Sequence, residues 1–239
     1  MKQIDLTFPS PAENLACDEA LLDWSEDGDG VEVLRFWEPR EYFVVVGYAN
    51  KVASEVNLTA CETRQIPVLR RPSGGGAVLQ GSGCLNYSLV LRITDDGPFH
   101  NISRANHFIM RRNRTALESA IGRPVGVRGY TDLAVADRKF SGNSQRRKKK
   151  FLLFHGTFLL NFDLALVSEL LPMPSKQPDY REHRPHSGFL TNLNVPADAV
   201  KAALRQAWKA EEQLEKPPLE KIAALAREKY AAREWNYKF

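Results

Sequence analysis

The apolar residues of this chain change their spacing several times, and each change marks a new element. Ser10-Pro11-Ala12-Glu13 has the marks of a helix start: Ser10 can cap the first amides, Pro11 fills a position whose N–H would lack a partner, and Glu13 can reach back as a capping box. That helix is predicted to run to about Trp24. After an acidic, glycine-containing turn over 26–30, residues 31–37 and 42–48 are rich in β-branched and aromatic types and read as strands. Residues 66–69, 76–79 and 85–93 continue the strand pattern, giving a mostly β first half. From 103 to about 121, Ala105, Phe108, Ile109, Ala116 and Leu117 recur at helical spacing, which suits a helix lying on that sheet.

The second half resumes with strands at 125–127, 133–135, 139–141 and 151–161, and places the basic run Arg146-Arg147-Lys148-Lys149-Lys150 at a hairpin tip between the last two. Val200, Leu204 and Trp208 then share a helical face after Pro196, and Leu219, Ile222, Ala226 and Tyr230 share another after Pro217-Pro218. Residues 172–196, proline-rich and without a clear period, read as a long loop open to movement. Strands mixed with flanking helices, without regular βαβ alternation, predict an α+β fold rather than a doubly wound one.

Composition narrows the class. At 239 residues the chain can bury one sizeable core, and a single domain over 1–239 is expected. Its 43% hydrophobic and 26% charged residues describe an ordinary globular protein. No apolar run approaches the ~20 residues of a membrane span, and residues 1–10 lack the pattern of a signal peptide. A cytoplasmic location follows as the expectation. Cys17, Cys61 and Cys84 are too scattered for a disulfide framework or a metal site, and Cys84 reads as a small thiol packed at a strand start. His183 and His186 form the one close histidine pair, but Pro185 between them argues against a helical metal pair, so no structural metal is expected. The net charge of +4 is mild, and much of it sits in the basic run. That run reads as a solvated tip, with steering of an acidic partner or phosphate as its functional alternative. Nucleic acid fits less well, because no aromatic residues interleave with those charges.

Candidate chemistry begins at Arg70-Arg71-Pro72-Ser73-Gly74-Gly75-Gly76-Ala77-Val78. Glycines let a ligand lie against bare N–H groups, and arginines add permanently charged donors, so the segment suits an anion. It is neither of the common nucleotide motifs, since it lacks a Gly-Lys-Ser/Thr ending and the third glycine of the dinucleotide fingerprint. A second segment carries Asp132, then Asp137-Arg138-Lys139-Phe140-Ser141-Gly142, and after the basic run Phe154-His155-Gly156-Thr157.

Taken together, in this order and spacing, these strings resemble the lipoate-protein ligase family, relatives of biotin-protein ligases. Asn14-Leu15-Ala16-x-x-Glu19 and the closing Glu234-Trp235-Asn236-Tyr237 are similar too, so the resemblance spans nearly the whole chain. It implies a mainly antiparallel central sheet flanked by helices, of the type shared with biotin ligases and class II aminoacyl-tRNA synthetases. It also implies two steps: lipoate and ATP, with Mg2+, give lipoyl-AMP, and a lysine on a lipoyl acceptor domain then takes the acyl group. The acceptors implied are lipoyl domains of 2-oxoacid dehydrogenase complexes or the glycine cleavage H protein, with neither nucleic acid nor membrane as partner. By the resemblance, Arg71, Gly76, Ala77, Val78, Leu79 and Lys139 would bind the nucleotide, and Lys139 would also be catalytic. Arg70, Ser73, Gly74, Gly75, Asp132, Ser141 and His155 become substrate-contact candidates, and Trp37, Val46 and Val78 candidate walls of an acyl slot.

Two departures stand out. Where many ligases carry a His-Asp pair after the glycine loop, this chain has Gln80-Gly81, and it stops soon after Asn236, so the C-terminal accessory domain of longer ligases is expected to be absent, its work left either to a separate accessory protein or to a rearrangement of the loop over 172–196. Rival readings are an octanoyl- or lipoyl-transferase, which would need a cysteine beyond Lys139 where none exists, a biotin ligase, and a non-catalytic basic binding module resting on 146–150.

Overall fold

The helix start at Ser10 forms as predicted: its hydroxyl accepts from the Glu13 N–H at 3.2 Å while the Glu13 carboxylate accepts from the Ser10 N–H at 3.3 Å. The computed structural model describes residues 1–28 and 30–239; the turn expected over 26–30 includes Asp29, which lies outside them. In chain order the strands are β1 Lys2–Asp5, β2 Val33–Trp37, β3 Phe43–Val46, β4 Val68–Arg70, β5 Val78–Gln80, β6 Cys84–Arg92, β7 Gly126–Arg128, β8 Asp132–Val135, β9 Arg138–Arg147, β10 Phe151–Leu159 and β11 Glu212–Gln213. The helices are α1 Pro11–Asp27, α2 Val52–Glu55, α3 Leu58–Thr63, α4 Ile102–Ile121, α5 Leu164–Leu170, α6 His186–Phe189, α7 Ala197–Trp208, α8 Leu219–Leu225 and α9 Arg233–Asn236.

An eight-stranded sheet has the order β11-β1-β2-β6-β10-β9-β8-β7, and a smaller one the order β4-β3-β5. The large sheet is antiparallel from β2 through to β7, with β1 parallel to both its neighbours, so the fold is the expected α+β with a mainly antiparallel sheet. Alternation sorts its faces. Leu85, Tyr87, Leu89 and Leu91 of β6 enter one apolar layer with Ile109 and Leu117 of α4 and Val200, Leu204 and Trp208 of α7. Val33 and Val90 enter another with Leu15, Leu21 and Leu22 of α1 and Ile222 and Tyr230 near the C-terminus. A third cluster joins Val44, Val46, Val68 and Leu79 of the small sheet to Leu166 and Leu170 of α5.

The α1 face is apolar at one end only. Residues paired across an antiparallel ladder share a face. One row therefore runs Arg35, Ser88, His155, Ser144 across β2, β6, β10 and β9, and the next runs Trp37, Asn86, Thr157, Gly142. The small sheet docks on this polar patch. Gln80 donates to Thr157 Oγ1 at 2.7 Å, Asn86 donates to Gln80 Oε1 at 2.9 Å, and Thr157 donates to Asn86 Oδ1 at 2.5 Å, closing a triangle between the sheets.

Three segments differ from expectation. The strand predicted at 139–141 extends to Arg147, because its later residues bury through hydrogen bonds rather than apolar contact and so leave no hydrophobic period. Only Lys148 to Lys150 remain as the tip, and this tip is docked on α1: Lys148 pairs with Asp23 at 2.6 Å, and the Glu26 carboxylate accepts from the amides of Lys149, Lys150 and Phe151. Residues 172–196 contain α6 and a 3-10 turn at Asp179–Arg181, knit by Arg184 donating to the carbonyls of Arg181, Asp137 and Tyr180. Among the described residues no helix is long and apolar enough to cross a membrane.

Arg70, an expected ligand contact, has its guanidinium taken up by backbone carbonyls. Fully buried, it donates to the carbonyls of Gly47, Tyr48 and Asn50 and to those of Trp235 and Asn236, while its own N–H meets Asn236 Oδ1. It braces the C-terminal segment against the small sheet. Arg70→Ala strands several buried carbonyls, so a loss of about 3 kcal/mol or more is expected. A urea midpoint equal to that of the parent would show that this side chain does not hold the segment.

Candidate active site

The glycine loop joins β4 to β5 under the control of Arg71. This guanidinium is buried, which pulls it down to about 10, still a cation at neutral pH. It donates to the Gly74 carbonyl at 2.6 Å, the Gly76 carbonyl at 2.8 Å and the Val45 carbonyl at 3.3 Å. Turning carbonyls inward leaves amides outward. The N–H groups of Gly74, Gly75 and Gly76 have no hydrogen-bond partner among the described residues, and all three glycines are exposed. Gly75 sits at φ 88°, a conformation that only glycine takes without strain. Nothing lies within 4 Å of where a Cβ of Gly74 or Gly76 would stand, so an anion can approach the bare backbone. Ala77 and Val78 are half-buried and Leu79 is buried as β5 begins.

Ser73 fixes the near end of the loop. Its Oγ lies 2.6 Å from His155 Nε2, and His155 Nδ1 lies 3.1 Å from Asp18 Oδ2. Asp18 in turn accepts from Arg35 at 2.6 Å, and Arg35 also donates to Asn14 and to the Leu6 carbonyl. Burial opposes ionisation of Asp18, but the Arg35 charge, with His155 and the Ser88 hydroxyl, outweighs it and holds the carboxyl below its usual value. With Asp18 ionised, the tautomer of a neutral imidazole that fits carries its proton on Nδ1 and accepts the Ser73 hydroxyl proton at Nε2. Asp18 and Arg35 carry no signal as site residues in the sequence, and Gln80 stands out there only as a departure from the ligase pattern. Asp18 lies inside the N-terminal Asn14-to-Glu19 string, but at one of its unspecified positions.

Lys139 owes its direction to a register shift. Leu133 pairs with Ser141 but Ala134 pairs with Lys139, so Phe140 is the extra residue of a β-bulge. In a regular strand Lys139 and Gly142 would point to opposite faces. The bulge turns Phe140 and Ser141 together into the α4 layer, where Phe140 is fully buried, and returns Lys139 to the face of Gly142. A Cβ on Gly142 would stand 2.9 Å from Lys139 Nζ, so glycine there lets the lysine lie across the sheet. Its ammonium meets Asp132 Oδ1 at 2.7 Å, and Tyr180 donates to Asp132 Oδ2 at 2.8 Å. Ser141 lies on the far face, where its Oγ accepts from Asn143 at 3.3 Å, so it does not join the other candidates. Of the expected slot walls, Trp37 and Val78 share one apolar cluster while Val46 belongs to another.

The family model of the lipoyl protein ligase A/B catalytic domain matches residues 10–209. The chain belongs to this family. It is similar to octanoyltransferase LipM of Bacillus subtilis, 28% identical over 98% of this chain and 97% of the relative. It is likewise similar to a probable lipoate-protein ligase A of Mycoplasma pneumoniae, 28% identical over 99% of this chain and 72% of the relative. Among solved structures, a lipoate-protein ligase A bound with ATP superposes with a TM-score of 0.80 at 26% identity, covering 99% of this chain and 98% of the other. A bi-partite lipoate protein ligase from Thermoplasma acidophilum, described with its E2 lipoyl domain, gives 0.81 at 25% identity, covering 99% and 95%.

Within this lipoyl ligase A/B domain the glycine loop, the His155 relay and the bulged lysine are anchored by different elements on one face of the large sheet. All three cysteines are buried. Burial pushes the Cys84 thiol up to about 12 and the Cys17 thiol up to about 11, and raises Cys61, so none is poised as a thiolate. The depressed Asp18 carboxyl stabilises the fold above its unfolded value near 3.8 and loses that contribution as pH falls through its lower folded value. Asp18→Ala is expected to cost about 3 to 5 kcal/mol, because it leaves Arg35 buried without a counter-charge. The penalty should shrink as the pH of the unfolding measurement falls below 3.8 and through the carboxyl's lower folded value. A penalty independent of pH would mean that the pair is not ionic.

Proposed function

We propose that this domain is a lipoate-protein ligase that forms lipoyl-AMP from lipoate and ATP and passes the acyl group to a lysine of a lipoyl acceptor domain. The observation that carries the reading is Lys139, brought by a bulge onto the face of an open, amide-lined glycine loop, in a chain whose thiols are all buried. In the first step the lipoate carboxylate attacks the α-phosphate and pyrophosphate leaves. Two anions must meet, and Lys139 offsets their repulsion once it leaves Asp132, while the free amides of the loop receive non-bridging oxygens. In the second step the acceptor amine attacks the mixed anhydride and AMP leaves, with Lys139 polarising the acyl carbonyl. Arg71 acts through the loop it shapes. Trp37 and Val78 supply apolar wall for the acyl chain.

Magnesium would arrive with the phosphates, since among the described residues no group of three or more His, Cys, Asp or Glu is placed to hold a metal. The acceptors proposed are lipoyl domains of 2-oxoacid dehydrogenase complexes or the glycine cleavage H protein. The bi-partite relative, described with its E2 lipoyl domain, supports this acceptor class, and its two-part make-up supports a separate accessory protein. Lacking that partner, the chain would use preformed lipoyl-AMP faster than ATP plus lipoate.

A second reading is favoured by the octanoyltransferase relatives, which match almost end to end: transfer of octanoate from a carrier protein. The buried thiols weigh against a thioester route. Acceptor mass after incubation with ATP plus lipoate, against octanoyl carrier protein alone, separates the two, and modification by the carrier protein alone would reverse the assignment. Lys139→Ala should lose at least ~2 to 4 kcal/mol of transition-state stabilisation while remaining folded. Replacing Cys17, Cys61 and Cys84 together with alanine or serine should keep ATP-dependent transfer. A folded Lys139 variant with normal turnover, or a folded cysteine-free variant without activity, would contradict the ligase mechanism.

A further inference from the structure

A chain of side-chain hydrogen bonds crosses the α4 side of the large sheet and ends beside Asp132. It starts in α7, where the Trp208 indole N–H donates to Asn113 Oδ1 of α4 at 2.8 Å. Asn113 Nδ2 donates to the Tyr87 hydroxyl at 2.9 Å, and that hydroxyl donates to Asn143 Oδ1 at 2.6 Å. Asn143 Nδ2 then donates to the Thr131 carbonyl at 2.7 Å, while the Thr131 hydroxyl donates to the Asn143 carbonyl at 2.6 Å. Asn113 and Tyr87 are fully buried, and Trp208 nearly so. Tyr87, Gly156 and Asn143 form one cross-strand row. A Cβ on Gly156 would run into the Asn143 carboxamide, so glycine there lets that side chain lie across β10 to Tyr87.

The two ends of the chain fix its direction. An indole N–H only donates and a carbonyl oxygen only accepts, so each amide and hydroxyl between them has one orientation that satisfies every link. Apolar residues of the same volume would leave nothing to satisfy, so what the polar set adds is orientation. That orientation is delivered to the turn between β7 and β8. Among the described residues, 129–131 make two hydrogen bonds outside their own hairpin, both with Asn143. Tyr130 at the tip is 91% exposed and gives the turn no packing. Asp132, next after Thr131, carries the carboxylate that meets Lys139 Nζ at 2.7 Å.

We infer that Asn143 is a positioning residue for Lys139: oriented from Trp208 through Asn113 and Tyr87, it holds the turn at Thr131 and so the Asp132 carboxylate that aims the ammonium. The inference rests on the ligase reading for what Lys139 does, and adds to it where the aim comes from. Lys139 lies on the α1 face of the large sheet, whereas α4 and α7 cover the other. Both helices thus take part in the site without touching it.

Kinetics and amide hydrogen exchange on the full chain test this. Asn143→Ala should lower kcat/KM for acyl transfer from lipoyl-AMP about tenfold, because a small misplacement of a reacting group is costly. In an Asp132→Ala background the same change should cost less than about twofold, since no carboxylate is left to place. Tyr87→Phe keeps the ring stacked on Phe158 and removes only the hydroxyl in the middle of the chain. It should lower kcat/KM about threefold or more. It should also speed exchange across β8 about fivefold or more while exchange in α1 stays as in the parent. The inference is overturned if Asn143→Ala turns over as the parent does, if its effect adds in full to that of Asp132→Ala, if β8 exchanges as in the parent, or if α1 loosens as much as β8. Faster β8 exchange in Tyr87→Phe, in a chain whose parent transfers no acyl group from lipoyl-AMP, would keep the hold on Asp132 and remove the ligase reading.

Discussion

The buried pair between Arg35 and Asp18 is what the rest of the site hangs on. Both side chains are withdrawn from water, at 0% and 4% exposure. Such a pair survives only if nearly every donor and acceptor is used, since desolvation consumes most of the attraction. Arg35 meets that demand by bonding Leu6, Asn14 and Asp18 at once, which fixes the crossing of β1 and α1 over β2. Asp18 spends its second oxygen on His155, and His155 spends its second nitrogen on Ser73. One ionic contact thus sets the height of α1, the imidazole tautomer and the start of the glycine loop.

The two halves of the site reach their positions by different means. The loop is shaped from within, by an arginine that gathers its carbonyls. The lysine is placed by the sheet, through a single extra residue that reverses which face it points to. Both devices are local, and they suit the proposed chemistry, which needs two anions aligned and little proton movement. Asp132 adds restraint: it satisfies the lysine charge, and Tyr180 ties that carboxylate to the segment between α5 and α6.

Much of this was legible in the chain. The Ser10 capping box, the α4 stripe and the main strands follow from local spacing, and three strings in fixed order gave the family, which the match over 10–209 bears out. What escaped depends on pairing across long separations. The His155 partner Asp18 lies 137 positions away, and no local pattern joins them. The strand after Ser141 is polar because it faces hydrogen-bonding partners, so a hydrophobic period could not reveal it. The reversal of Lys139 follows from register, which spacing alone does not disclose. Arg70 and Arg71 look equivalent in sequence, yet adjacent strand residues point to opposite sides, so one shapes the loop and the other braces the chain's end.

That brace sets a timetable for the growing polypeptide. Arg70 meets its partner Asn236 across 166 positions. At ordinary rates of chain synthesis, the interval between the two residues is on the order of ten to thirty seconds. Throughout that interval the small sheet has hydrophobic partners in α5 but no clasp on its outer edge, and the buried arginine has no carbonyls from α9 to receive it. The glycine loop that follows Arg70 is therefore bordered by an unfinished brace until the chain's end has been made. A nascent chain bearing a nearly complete core would still hold an unfinished brace beside the glycine loop, so completion of the core and completion of the candidate site are separate events in the life of each copy.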